Sequence, residues 1–161
     1  MTDDRFTLRP IRTEADYQAV MDVNLKSILF VSKAVAASQI AAGIAGSIIS
    51  ISSQMGHVAG PRRAVYAASK FAVEGLSKAM AIDLAPHNIR VNTICPTFIE
   101  TELSAKNLSD PDFRAWVLQK IKLGRLGRLE DIMGPVVFLA SDAAALMTGS
   151  SLMVDGGWTA E

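Results

Sequence analysis

Residues 66–86 read YAASKFAVEGLSKAMAIDLAP, and what flanks them decides the fold. The stretch predicts a long helix from Val65 to Ala85. Pro86 closes it, with His87 and Asn88 in the turn, because the residue before a proline avoids helical geometry. Just upstream, SIISIS at 47–52 is a short, apolar, β-branched run bounded by glycine. Such a run reads as a buried strand. Just downstream, IRVNTIC at 89–95 reads the same way and ends at Pro96. Two buried strands joined through a helix form a right-handed crossover and therefore lie parallel.

Working outward, Val20, Val23, Leu25, Ile28, Leu29, Val31 and Val35 recur near helical spacing and predict a first helix from Glu14 to Ala42. Thr13 suits the N-cap, Glu14 and Asp16 suit the dipole, and Gly43 and Gly46 stop the helix. Towards the C-terminus, Asp110 followed by Pro111 marks the start of a short helix. Phe113, Trp116, Val117 and Ile121 share one of its faces. A GRLGR turn at 124–128 leads to a last helix, Glu130 to Ala145, and a third strand, Ser151 to Val154. The order α-β-α-β-α-α-β predicts an α/β protein with a three-stranded parallel sheet flanked by helices. Three strands make a small sheet for this class.

Composition narrows the function. Lys+Arg and Asp+Glu are both 16, so the chain lacks the basic excess of a nucleic-acid binder. The first ten residues, MTDDRFTLRP, carry no apolar run of the kind a secretory signal needs. Residues Ala34 to Pro61 carry no charge but are broken by Gln39, Gly43, Gly46 and Gln54. They read as a helix end, a turn and a strand rather than a membrane span. Cys95 is the single cysteine, so no intrachain disulfide forms and a reducing cytoplasm is the simplest home. It is expected to be buried and inert. No metal ligand set is read from the sequence.

Three features carry chemistry. Tyr66 and Lys70, four apart, share a helix face. An ammonium beside a phenol favours the phenolate and makes it a usable acid or base. The same spacing also occurs in plain surface pairs. Ser52 and Ser53 end the strand before that helix, where ligands of open α/β sheets bind. They could equally cap a turn. Asn24 sits mid-helix, where its side chain competes with the backbone. It needs either a local hydrogen bond or a place in a site.

Five stretches, DVNLKS (22–27), GSIISISS (46–53), YAASKFAVEGLSKAMAIDLAP (66–86), IRVNTICPTFIET (89–101) and TGSSLMVDGGW (148–158), together resemble the short-chain dehydrogenase/reductase family. The likeness runs from about Glu14 to the C-terminus and is greatest to the ketoacyl-carrier-protein reductases and the sugar or polyol dehydrogenases. It implies a partial Rossmann-like three-layer fold and hydride transfer between NAD or NADP and a small-molecule alcohol or ketone. By the same resemblance Tyr66 is the general acid/base, and Ser53, rather than Ser52, polarises the carbonyl. Lys70 holds the nicotinamide ribose and tunes the tyrosine, while Asn24 keeps a relay water near the lysine. Pro96, Ile99 and Thr101 hold the nicotinamide carboxamide. Residues 102–123 would cover the substrate, although Phe113 and Trp116 also suit ordinary core packing.

The chain also departs from the pattern. No Gly-x-x-x-Gly-x-Gly follows a strand, so the pyrophosphate cradle is missing and cofactor binding should be weakened. The reading is a truncated catalytic domain, 14–161, behind a non-family segment, 1–13. Thr97 stands where the family usually has glycine. The strand at 47–52 would then be an apolar edge open to pairing, and the family's assembly through its two long helices implies a homo-oligomer or a partner chain. The alternative is an inactive fragment or interaction module that co-assembles with intact relatives.

Overall fold

The computed structural model describes residues 13–160. All but the last residue of the 1–13 segment therefore lies outside the described residues. Six helices and three strands follow in order. They are α1 (Glu14–Met21), α2 (Ser27–Ala42), β1 (Gly46–Ile51), α3 (Ala64–Leu84), β2 (Ile89–Pro96), α4 (Glu102–Leu108), α5 (Pro111–Lys120), α6 (Leu129–Ala140) and β3 (Ser151–Val154). The sheet has the order β1-β2-β3 and is wholly parallel. The α/β class, the three strands and their crossovers agree with the sequence reading.

The strands' period of two divides the core. Ile48 of β1 and Ile89 and Val91 of β2 face α2 and α3, where they pack on Ala36 and Ala81. Ile49 and Ile94 face the other way, onto Leu139 of α6. A third cluster, built on Leu108, Val117, Ile121 and Trp158, seats α4 and α5 beyond the carboxyl ends of the strands. Phe113 and Trp116 belong to it. Their rings stack 5.7 Å apart, and Trp116 meets Trp158 edge-on at 5.4 Å.

The predicted first helix is one rod with a π-helical turn, Asp22–Lys26, between α1 and α2. Its N-terminus is held by a capping box between Thr13 and Asp16. At its other end Gly43 takes the left-handed φ of +65°, which an L side chain resists. By length and composition alone, Glu14–Ala42 is long and apolar enough to cross a membrane. The uncharged stretch from Ala34 to Pro61, by contrast, divides between the end of α2, the Gly43 turn and β1.

Two expectations are corrected. The last helix ends at Ala140 rather than Ala145, because the Ser141 hydroxyl takes the Phe138 carbonyl and the backbone opens to extended geometry there. A single 3₁₀ turn, Asp142–Ala144, follows. A further helix, α4, also precedes the Asp110 cap. Thr101 caps it in a box completed by Ser104.

The end of β3 is organised by Asp155, whose carboxylate accepts from the amides of Gly157 and Thr159 and from the Thr159 hydroxyl. Burial pushes this carboxyl up, but those hydrogen bonds outweigh it and hold it below its ordinary 3.8. A carboxyl depressed by folding stabilises the fold above the unfolded value and loses that contribution as pH falls through the folded one. Asp155→Ala is therefore expected to cost about 1–3 kcal/mol at neutral pH. The gap to the parent chain should narrow below pH 3.8, as urea titrations at several pH values would show.

Candidate active site

The helix α3 starts at Ala64, so Tyr66 lies in its first turn and Lys70 one turn further on, both pointing at the carboxyl end of β1. The Lys70 Nζ lies 5.8 Å from the Tyr66 ring centroid and donates to the Ile51 carbonyl at 3.0 Å. Ile51 is the last residue of β1, so the strand end fixes where the ammonium sits. Lys70 is buried, and burial pushes its ammonium below lysine's ordinary value, with the Glu74 carboxylate one turn on opposing the shift.

Beyond β1 the chain passes through Ser52 and Ser53, both buried. The Ser53 Oγ accepts from the Met55 amide at 3.1 Å and donates to the Gln54 Oε1 at 2.7 Å. Ser53 thus caps the 3₁₀ turn Gln54–Gly56 while also lining the cleft. The Ser52 Oγ is turned towards Glu74 and Cys95.

Ser53, Tyr66, Lys70, Pro96, Ile99 and Thr101 converge on a single cleft of about 400 Å³. Asn24 is not among its lining residues. It sits in the π turn, and its Nδ2 donates to the Ser69 Oγ at 3.0 Å, which in turn donates to the Tyr66 carbonyl at 2.7 Å. Asn24 therefore braces the turn of α3 that carries Tyr66. The helix widens where a side chain is drawn out to a partner, a common setting for π turns.

The structure adds lining residues the sequence reading did not single out: Gln54, Arg63, Leu103, Ser104 and Asn107. Arg63 stands at the mouth, its guanidinium 5.9 Å from the Phe113 ring centroid. No spacing rule marks it, since it reaches the cleft from the loop before α3. Leu103, Ser104 and Asn107 come from α4, the helix the sequence reading lacked. Cys95 is fully buried beneath the site, as expected, and desolvation pushes its thiol up to about 12.

A cleft at the carboxyl ends of parallel strands, with a phenol, an ammonium and a hydroxyl converging, can bind and protonate a carbonyl oxygen. The chain is similar to several known proteins. The enoyl-(acyl carrier protein) reductase family model matches residues 10–159. D-erythrulose reductase of Gallus gallus is 45% identical over 137 residues, 85% of this chain and 56% of the relative. The 2-dehydro-3-deoxy-D-gluconate 5-dehydrogenase of Escherichia coli K12 is 42% identical, over 92% of this chain and 58% of the relative. A gluconate 5-dehydrogenase from Burkholderia cenocepacia, solved with NADP and tartrate, superposes with a TM-score of 0.89 at 39% identity, covering 93% of this chain and 58% of that one. The chain thus spans somewhat over half the length of these relatives. The relatives are oxidoreductases, and the chain belongs to the short-chain dehydrogenase/reductase family.

Proposed function

We propose that this chain carries the proton-transfer side of an NAD(P)-dependent oxidoreductase site acting on a ketose, a polyol or a keto sugar acid. The supporting observation is the convergence of Ser53, Tyr66 and Lys70 on one cleft. The names of the relatives support the sugar and polyol reading over the ketoacyl one.

The residues present fit the nicotinamide end of the cofactor. Thr97 Oγ1 is buried without a hydrogen-bond partner at the base of the cleft. An orphaned hydroxyl there suits a carboxamide, with Pro96, Ile99 and Thr101 around it. Among the described residues no strand runs into a helix through a glycine-rich turn, so the cradle for a pyrophosphate is not among them.

When bound, the nicotinamide supplies the hydride for the carbonyl carbon. Tyr66 gives its phenolic proton to the carbonyl oxygen as that oxygen becomes an alcohol. Ser53 turns its hydroxyl from Gln54 towards the same oxygen and stabilises the charge developing on it. Lys70 favours the phenolate left on Tyr66 and holds the ribose. Asn24 steadies this turn of α3 and supports a relay water beside Lys70.

We read assembly with a second chain, a further copy or a relative, as part of this function. Phe30, Val31 and Val35 on α2 and Phe71 and Ile82 on α3 are exposed, and the outer edge of β1 pairs with no strand among the described residues. The free Cys95 fits a reducing cytoplasm.

The test offers ketoses and keto sugar acids with NADH or NADPH to the chain, alone and co-expressed with a full-length relative whose own tyrosine is disabled. Oxidation of the nicotinamide that depends on this chain's Tyr66 supports the reading. Absence of Tyr66-dependent turnover in both settings favours the inactive, co-assembling module instead.

A further inference from the structure

Beneath the cleft lies a second cluster, which the proposed reaction does not use. In β2, Thr93 and Cys95 point to the same face by the period of two, and Thr93 is in register with Ser151 of β3. All three reach Glu74 on α3. Glu74 is buried, and its Oε2 accepts from Thr93 Oγ1 at 3.0 Å and from Ser151 Oγ at 2.5 Å. Its Oε1 faces the Cys95 Sγ at 3.3 Å. His57, from the loop after β1, closes the group. Its Nε2 lies 3.5 Å from Cys95 Sγ and 3.6 Å from Glu74 Oε2.

These contacts bring a nitrogen, an oxygen and a sulfur of ligand type within 4.8 Å of one another. Zinc binds sulfur at about 2.3 Å and nitrogen or oxygen at about 2.0–2.2 Å, so tetrahedral angles place its ligand atoms roughly 3.3–3.6 Å apart. The Cys95–His57 separation of 3.5 Å matches such an edge, and these two atoms approach different oxygens of Glu74, at 3.3 and 3.6 Å. Ser52 is 4% exposed, and its hydroxyl lies against the Glu74 carboxylate and the Cys95 thiol. It borders the same spot, since a Cβ on Gly56 would lie 3.0 Å from both Ser52 Oγ and Glu74 Cγ. A hydroxyl there adds one more polar group at the edge of the cluster. Thr93 and Ser151 already hold the carboxylate in place, as outer-shell donors do in metal sites. The His57 side chain is 32% exposed, which gives an entry path.

We propose that His57, Glu74 and Cys95 form a binding site for one borderline-soft divalent cation, with the chemistry of zinc. On binding, the Cys95 S–H bond breaks, a sulfur–metal bond forms, and the proton leaves to solvent. Hard cations such as calcium and magnesium prefer all-oxygen ligand sets, which this cluster does not offer.

The chain is stripped with a chelator and titrated with Zn²⁺ against a chromophoric competitor, and separately with Co²⁺. One Zn²⁺ per chain is expected, and Co²⁺ should give tetrahedral visible bands with a thiolate charge-transfer band. His57→Ala, at the surface, should keep the fold and weaken Zn²⁺ by roughly 10–100-fold. His87→Ala, at the chain's other histidine, should change nothing. Cys95→Ser should abolish the charge-transfer band. Absence of one-to-one binding, a Co²⁺ spectrum without the thiolate band, or an affinity indifferent to His57→Ala would each show a hydrogen-bonded cluster only and overturn the proposal.

Discussion

Tyr66→Phe is expected to lower carbonyl reduction by about 10²–10⁴-fold, the usual worth of a general acid or base. The change removes one oxygen from a half-buried ring whose neighbours, Lys70 and Ser53, keep their own partners. The Lys70 Nζ still has the Ile51 carbonyl, and the Ser53 Oγ still has Met55 and Gln54. Stability and cofactor affinity should therefore move little, and the loss should fall on kcat rather than KM. Single-turnover rates measured beside a cofactor titration separate the two. Equal losses in binding and rate would mean that Tyr66 only shapes the cleft.

Glu74→Ala is expected to be the most destabilising single change near the site, at about 3 kcal/mol or more. It opens a cavity and leaves the hydroxyls of Thr93 and Ser151 without the acceptor they share. Thr93 is 1% exposed, so its hydroxyl cannot turn to bulk solvent. A urea midpoint shifted down at constant slope would check it. Thr93→Val in the Glu74→Ala background should recover part of the loss, because it removes a stranded donor. A Glu74→Ala chain as stable as its parent would show that the donors find other partners.

Much of the architecture was legible because it rests on strong local signals. Ser151–Val154 has the bounds the sequence predicts, and β1 and β2 differ from expectation only at their ends. The Asp110–Pro111 start is confirmed by two hydrogen bonds from the Asp112 and Phe113 amides to the Asp110 side chain. The candidate site was legible chiefly through the family resemblance. Spacing put Tyr66 and Lys70 on one helix face, whereas the choice of Ser53 over Ser52 and of Pro96 came from the resemblance.

What escaped was set by tertiary contact or by weak local chemistry. The helix α4 is seven residues long, and its capping box ends in Ser104 instead of the glutamate or glutamine that marks such boxes. Asn24 stands out in sequence as a misfit, but only the fold shows that Ser69, 45 positions away, is its partner. Arg63 enters the cleft from a loop with no periodicity. His57, Glu74 and Cys95 are each isolated in sequence and meet because α3 crosses the face of β2 that Cys95 occupies.

The central claim is that the Tyr66–Lys70 cleft receives the nicotinamide end of a dinucleotide. Fluorescence titration of NADH and NADPH into the purified chain and its Lys70→Ala variant tests it most directly. Saturable binding by the parent chain is expected, weakened roughly 10–100-fold in the variant, the worth of a hydrogen bond to a charged group. No saturation up to millimolar cofactor, or equal binding by Lys70→Ala, would contradict it.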